Sequence, residues 1–260
     1  MEKNSTPSTI RPLSFWQTAF FFGLPTILLI LSIYCLVPRL LTWGFSAYMS
    51  LDVAFLVPFA LLFCASLIAY GMAGHAWTWA DFKDRFRLRR MDGNDWLWTV
   101  GLFIFALASY FPLNAIISQF IAKGIIPLPD SLPTILDPRT KQSIELLMGG
   151  QVKGNWWLVL VNVSALLFNT FGEELWWRGY ILPRQEVAHG KHTWVVHGLL
   201  WTFVHAFKYW EFAALLPACL AFSFVAQRRK NTWPGIMTHF ALNGLESIFV
   251  LLLVVGAVQL

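Results

Sequence analysis

The sequence predicts an all-α, polytopic integral membrane bundle of about seven transmembrane helices, or eight, and three observations carry this. The 260 residues are 57% hydrophobic and only 13% charged, where a soluble domain carries roughly a quarter charged residues. Mean hydropathy is +0.58. The apolar residues fall into seven runs, against the roughly 20 residues that a membrane crossing needs. No repeat or linker divides them, so 1–260 reads as a single integral membrane domain with the lipid bilayer as a partner. The net charge of +5 calls for no nucleic acid, because basic residues on one membrane face account for it.

The polar start, MEKNSTPSTIRPLS, leads into the run 15–37. That run is too long for a signal-peptide core and lacks a small-x-small cleavage pattern, so it reads as a retained first span. The second and third spans are 51–73 and 96–120. Between them, AWTWADFKDRFRLRR at 76–90 mixes aromatic and basic residues. It reads as a helix lying at the interface, or as a solvated basic loop, and in either case as an anchor without chemistry. Residues 125–154 contain no visible crossing, although an amphipathic or re-entrant piece would fit there. GIIPLPDSLPTILDP is proline-rich, and TKQSIELLMGG looks like a short helix ended by glycine. Four more spans follow at about 155–182, 193–210, 211–227 and 233–257, the fifth and sixth short and separated only by KYWEF.

Orientation follows from the basic residues. With seven spans, Lys3 and Arg11, the cluster 83–90, Arg184 and Lys191, and the run 228–230 all fall on one side. The other loops hold only Arg39, Lys123, Arg139, Lys141, Lys153 and Lys208. The positive-inside tendency makes the clustered side cytoplasmic, with the N-terminus inside and the C-terminus outside. A compact chain with short loops and no targeting peptide points to a prokaryotic plasma membrane. Cys35, Cys64 and Cys219 stand singly in apolar runs and read as small core residues, not as ligands or disulfides.

Ionisable groups inside spans are costly and tend to face a bundle interior or a water-filled cavity. They therefore mark a candidate site: Glu173, Glu174, Arg178, His197, His205, His239 and Glu246, with the amides Asn162, Asn169 and Asn243. If the fourth helix continues past Pro183 to about Val187 and turns at AHGKH, Glu173 and His205 stand at similar heights above that turn. Asn243 and His239 reach a comparable depth from NTWPG. Glu174 and Arg178 are four apart, share a helix face and can pair. Glu173 is rotated about 100° from Glu174 and can face elsewhere. One glutamate is then held by the arginine and the other is free for chemistry. Trp201 stacks one turn before His205.

EELWWR at 173–178 resembles the EExxxR motif of the CAAX prenyl protease and bacteriocin-processing (CPBP) intramembrane proteases, also called type II CAAX or Abi-type proteases. WTFVH resembles that family's FxxxH, with Trp201 in place of the phenylalanine. HFALN, from His239 to Asn243, resembles its HxxxN. Three motifs in the family's order, within a motif-bearing core at about 155–257, are far more specific than EExxxR alone.

The resemblance implies an intramembrane endopeptidase in which Glu173 activates a water and His205 orients it. It gives His239 and Asn243 to oxyanion stabilisation, with Glu174 and Arg178 as supports. It also implies a peptide or membrane-protein substrate, a prenylated C-terminal CAAX tail in eukaryotic relatives. The family is often labelled metalloprotease. Glu173, His205 and His239 would make a His₂Glu site for a divalent metal such as zinc, while a metal-free, glutamate-activated water suits the same residue types. Blander readings stand beside these. A lone buried histidine is more often a satisfied core residue. His197 reads as structural, and His75, His189 and His192 as surface residues. Glu246 and Asn169 read as supports of the site, and Asn162 as a link between helices. A non-proteolytic scaffold or bacteriocin self-immunity protein is the alternative. An ion-coupled transporter would need paired halves that are absent.

Overall fold

A computed structural model describes residues 10–140, 142–150 and 152–258; Lys3 and Lys141, both used above for orientation, lie outside the described residues. The described residues form helices and connecting turns, with no strand among them. Helix α1 (Phe15–Leu31) continues through a π-turn at Ser32–Leu36 into α2 (Val37–Thr42). It starts at a capping box, in which Ser14 and Gln17 satisfy each other's backbone N–H groups. Next come α3 (Ala47–Met72), the seven-residue α4 (Trp79–Arg85) and α5 (Gly93–Ala122). The short α6 (Ile144–Met148) ends at Gly149, whose φ of 85° is the left-handed conformation that glycine adopts at little cost. The motif-bearing part follows: α7 (Trp156–Glu173), α8 (Leu182–His189), α9 (Thr193–Val204), α10 (Phe212–Arg229) and α11 (Trp233–Val255).

Six stretches among the described residues are long and apolar enough to cross a membrane, and the fourth of them, Trp156–Val204, takes in the fourth expected run and most of the fifth. The chain folds back within it at Gly190, where Thr193 Oγ1 bonds both the Gly190 and Gln185 carbonyls. The fifth expected span, 193–210, is not one helix. With 12 residues, α9 is only about 18 Å long, against a hydrocarbon core of roughly 30 Å. It gives way to a 3₁₀ segment, Ala206–Glu211, broken at Lys208 (φ −135°, ψ 52°). The outer faces carry large apolar side chains such as Leu97 (70% exposed) and Met72 (84%), as expected where lipid replaces water around a helical bundle. The chain is thus a polytopic helical bundle suited to an integral, multi-pass membrane protein.

The expected basic clusters meet at one end of the bundle, and much of their charge is paired. Arg87 forms a two-pronged ion pair with Glu186 at 2.9 and 2.8 Å, and Lys230 contacts the same carboxylate. Arg229 bonds Asp95 at 2.7 Å and Asp92 at 3.0 Å, clamping the capped start of α5. Arg184 donates to the Arg11 carbonyl.

Arg85 departs from the surface anchor expected of 76–90. It is buried, and it donates to the carbonyls of Gly179 at 2.9 Å and Tyr180 at 3.3 Å. Proline has no N–H, so Pro183 cannot satisfy the carbonyl four residues before it, and that carbonyl belongs to Gly179. Burial pushes the Arg85 guanidinium down to about 10, which leaves it charged at neutral pH. The proline therefore neither ends nor breaks the helix. Between α7 and α8 the chain winds as a π-helix, Glu174–Ile181, all eight residues of which are buried. Single π-turns inside helices are frequent at functional sites. Packing fixes this one: Trp177 stacks on Phe22 at 4.4 Å, and at Gly172 a β-carbon would stand 2.5 Å from the Phe59 carbonyl, so only glycine lets α7 lie this close to α3.

Candidate active site

A cavity of about 360 Å³ opens between α3, α7, α9, α10 and α11, and Glu173, His205, His239 and Asn243 all line it. The three motifs therefore reach one space from three helices. Their hydrogen-bond partners divide them into two groups.

The first group surrounds Glu173, which is 2% exposed. Trp201 Nε1 donates to its Oε2 at 2.5 Å, and Asn169 Nδ2 approaches Oε1 at 3.4 Å. Asn243 Nδ2 donates to Asn169 Oδ1 at 2.8 Å, so the amide of the third motif supports the first through Asn169. Both neighbours of Glu173 donate, which holds its carboxylate as an acceptor. His205 Nδ1 lies 3.0 Å from the Trp201 carbonyl. A carbonyl only accepts, so Nδ1 carries the proton and Nε2 is the basic nitrogen.

The second group surrounds Glu174. Its Oε1 lies 3.1 Å from Arg178 Nη1 and 3.1 Å from His239 Nδ1. The expected pair of Glu174 and Arg178 is fully enclosed, both side chains being 0% exposed. The Arg178 contact is close in charge but not aligned as a hydrogen bond, and Arg178 lies flat on the Trp201 ring, 3.5 Å from its centroid. Cation–π attraction of this kind is strongest when desolvated. A β-carbon at Gly235 would collide with Glu174 Oε2, so glycine at this place on α11 admits the carboxylate.

Trp201 thus touches both groups: its indole N–H reaches Glu173, its face carries Arg178 and its carbonyl meets His205. The sequence marked this residue only as an aromatic in the phenylalanine position. Two other polar residues of the cavity lining, and a third bonded to it, escaped it. Asp52 is a single carboxylate in the apolar run MSLDVAFLV and is 9% exposed; an acid in a span is itself a signal. Lys208 lines the cavity and pairs with Glu211 at 3.0 Å. Tyr48 donates to Glu246 at 2.8 Å and accepts from Asn162 at 2.8 Å, so Asn162 does link α7 to α3 as expected, and the pair extends to Glu246 on α11. His197 is fully buried against Gln185 at 2.6 Å, away from the cavity lining.

The His₂Glu option has no preformed ligand cluster: among the described residues no group of three or more His, Cys, Asp or Glu side chains is placed to hold a metal ion. The reason is visible in the partners: the Glu173 oxygens face Trp201 and Asn169, while His239 Nδ1 is turned to Glu174.

Residues 155–245 match the family model described as Type II CAAX prenyl endopeptidase Rce1-like. The matched stretch covers all three motifs and most of the cavity wall contributed by α7 to α11. No curated protein and no solved structure matches the chain.

Proposed function

We propose, from a chain whose residues 155–245 match the Rce1-like type II CAAX prenyl endopeptidase family model, that this protein is an intramembrane endopeptidase. It would hydrolyse a peptide bond near or within the bilayer with a water activated by Glu173. The observation that carries the reading is the shared cavity of Glu173, His205, His239 and Asn243. A structural ion pair would need no such space beside it.

In this mechanism the peptide carbonyl enters the cavity beside Glu173. The carboxylate takes a proton from a water that His205 orients through Nε2, and the water oxygen bonds to the carbonyl carbon. The carbonyl π electrons move to oxygen. The Asn243 amide and His239, acting as an imidazolium whose Nδ1–H is held by Glu174, face the developing oxyanion with N–H donors. Such donors are most effective where water is excluded. The intermediate collapses, the C–N bond breaks, and Glu173 returns its proton to the leaving amine. Glu174 and Arg178 do not touch substrate; they fix His239 and the Trp201 ring. No step requires a metal, and the partners of the three candidate ligands favour a glutamate-activated water.

The substrate is a peptide or membrane-protein segment, and the apolar surroundings of the cavity suit a hydrophobic or lipidated tail. The basic end of the bundle faces the cytoplasm in this reading. Single-turnover cleavage of a fluorogenic lipidated peptide in isotopically heavy water tests it. The account predicts label in the new product carboxylate and none in Glu173. Label in Glu173 would mean an acyl-enzyme, and a wild type that cleaves no lipidated or apolar peptide would favour the scaffold alternative.

A further inference from the structure

The cavity has a second polar wall that this mechanism does not use. It is built from Asp52 on α3, Asn162 on α7 and Glu246 on α11, with Tyr48 of α3 bonded to the last two from outside the lining. Tyr48 ties two of them together, donating to Glu246 Oε1 at 2.8 Å and accepting from Asn162 Nδ2 at 2.8 Å. Asp52 is 9% exposed and Asn162 is 5% exposed. Asp52 Oδ2 and Asn162 Oδ1 have no hydrogen-bond partner among the described residues, yet both residues line the cavity, as does Glu246. Buried oxygens are rarely left without a donor, because that loses their hydration without replacement.

We infer that this wall is a cation-accepting subsite, which takes an ammonium or guanidinium group carried by the peptide substrate. This rests on the peptidase reading above and gives it a substrate preference. Three features select that ligand. Asp52, Asn162 and Glu246 all present oxygen acceptors, the Tyr48 hydroxyl is spent on Glu246, and one of the two Asn162 N–H groups is spent on Tyr48. The cavity's own cation, Lys208, is paired with Glu211 rather than with Asp52 or Glu246. A soft or borderline metal ion such as zinc is disfavoured because the cluster offers no histidine or cysteine, and among the described residues no group of three or more His, Cys, Asp or Glu side chains is placed to hold a metal ion. A basic side chain brings its own donors, and a desolvated charge pair of this kind discriminates strongly against a neutral partner.

Spacing gives the position of that residue. Glu246 is seven residues beyond His239 on α11, and Asn162 is eleven residues before Glu173 on α7. At 1.5 Å per residue the subsite lies about 10 to 16 Å along the bundle from the catalytic group. An extended peptide advances roughly 3.3 Å per residue. The basic residue therefore stands about three to five residues from the scissile bond.

The test uses the purified full chain in detergent and paired fluorescent apolar peptides. Each pair is identical except for lysine or norleucine at one position, scanned outward from the cleaved bond. Binding is read by anisotropy and cleavage by kcat/KM. Lysine at the third to fifth position is expected to improve both by about tenfold over norleucine. Asp52→Asn is expected to bring that ratio close to one, with Asp52→Glu restoring part of it. Equal binding of the two peptides by wild type, or an undiminished ratio in Asp52→Asn, would overturn the subsite. If no peptide is cleaved, the peptidase reading fails, and the binding ratio still decides for or against the subsite.

Discussion

The indole N–H of Trp201 donates to Glu173 Oε2 across 2.5 Å, while the face of the same ring carries the Arg178 guanidinium. One side chain thus aims the proposed base and covers the charge that pairs with the neighbouring glutamate. A phenylalanine in this position keeps the face and loses the donor. Hydrogen bonds to charged groups contribute about 1.5–3 kcal/mol. Trp201→Phe is therefore expected to lower kcat roughly tenfold or more with little change in KM, in a protein whose thermal midpoint barely moves. An unchanged kcat would show that the bond has no part in orienting Glu173.

Arg178 is the side chain whose loss should cost the most stability. It is fully enclosed, and its removal leaves Glu174 with His239 alone. Breaking one member of a buried pair typically costs about 3–5 kcal/mol. Arg178→Met should lower the thermal midpoint in detergent and reduce the folded yield. A midpoint equal to wild type would mean that the pair adds nothing to stability.

The π-helical winding depends on a donor from elsewhere in the chain. With Arg85→Ala, the Gly179 and Tyr180 carbonyls lose the guanidinium that Pro183 cannot replace. A destabilisation of about 1–3 kcal/mol is expected, with faster hydrogen exchange confined to the residues around Pro183. Unaltered exchange there would separate Arg85 from the motif helix.

Gly235 is the place where α11 makes room for Glu174. Gly235→Ala should displace either the carboxylate or the helix carrying His239, and activity should fall more steeply than stability. Full activity in this variant would contradict the close approach.

Metal removal gives an independent check. Since Glu173, His205 and His239 do not converge as ligands among the described residues, prolonged chelation is expected to leave peptide cleavage unchanged. Loss of activity that zinc restores would contradict the metal-free mechanism.

The sequence carried the bundle and the motif residues well, because each has a one-dimensional signature. Apolar runs of span length give the helices, and Glu173, His205 and His239 stand out as ionisable groups within them. It did less well where a third dimension decides. A seven-run reading could not reveal that α9 stops at Val204, because the change from an α-helix to a 3₁₀ segment is a matter of backbone geometry and not of composition. The π-winding leaves no composition signal: Pro183 suggested a bend, and the compensating donor, Arg85, lies 94 residues from the carbonyl it satisfies. The metal option stayed open in the sequence for the same reason, since residue types alone cannot say that His239 turns to Glu174. Asp52 is a different case. Its signal, one acid in an apolar span, was present in the sequence, and only the cavity gives it partners.

The division of labour between adjacent glutamates is the central claim, and it is tested most directly by Glu173→Gln and Glu174→Gln measured side by side on one fluorogenic lipidated peptide, with thermal midpoints from the same samples. The account predicts that Glu173→Gln folds as wild type does and loses activity by about 10²–10⁴-fold, the usual scale of a general base. It predicts that Glu174→Gln loses stability first. Wild-type cleavage by Glu173→Gln would contradict the account.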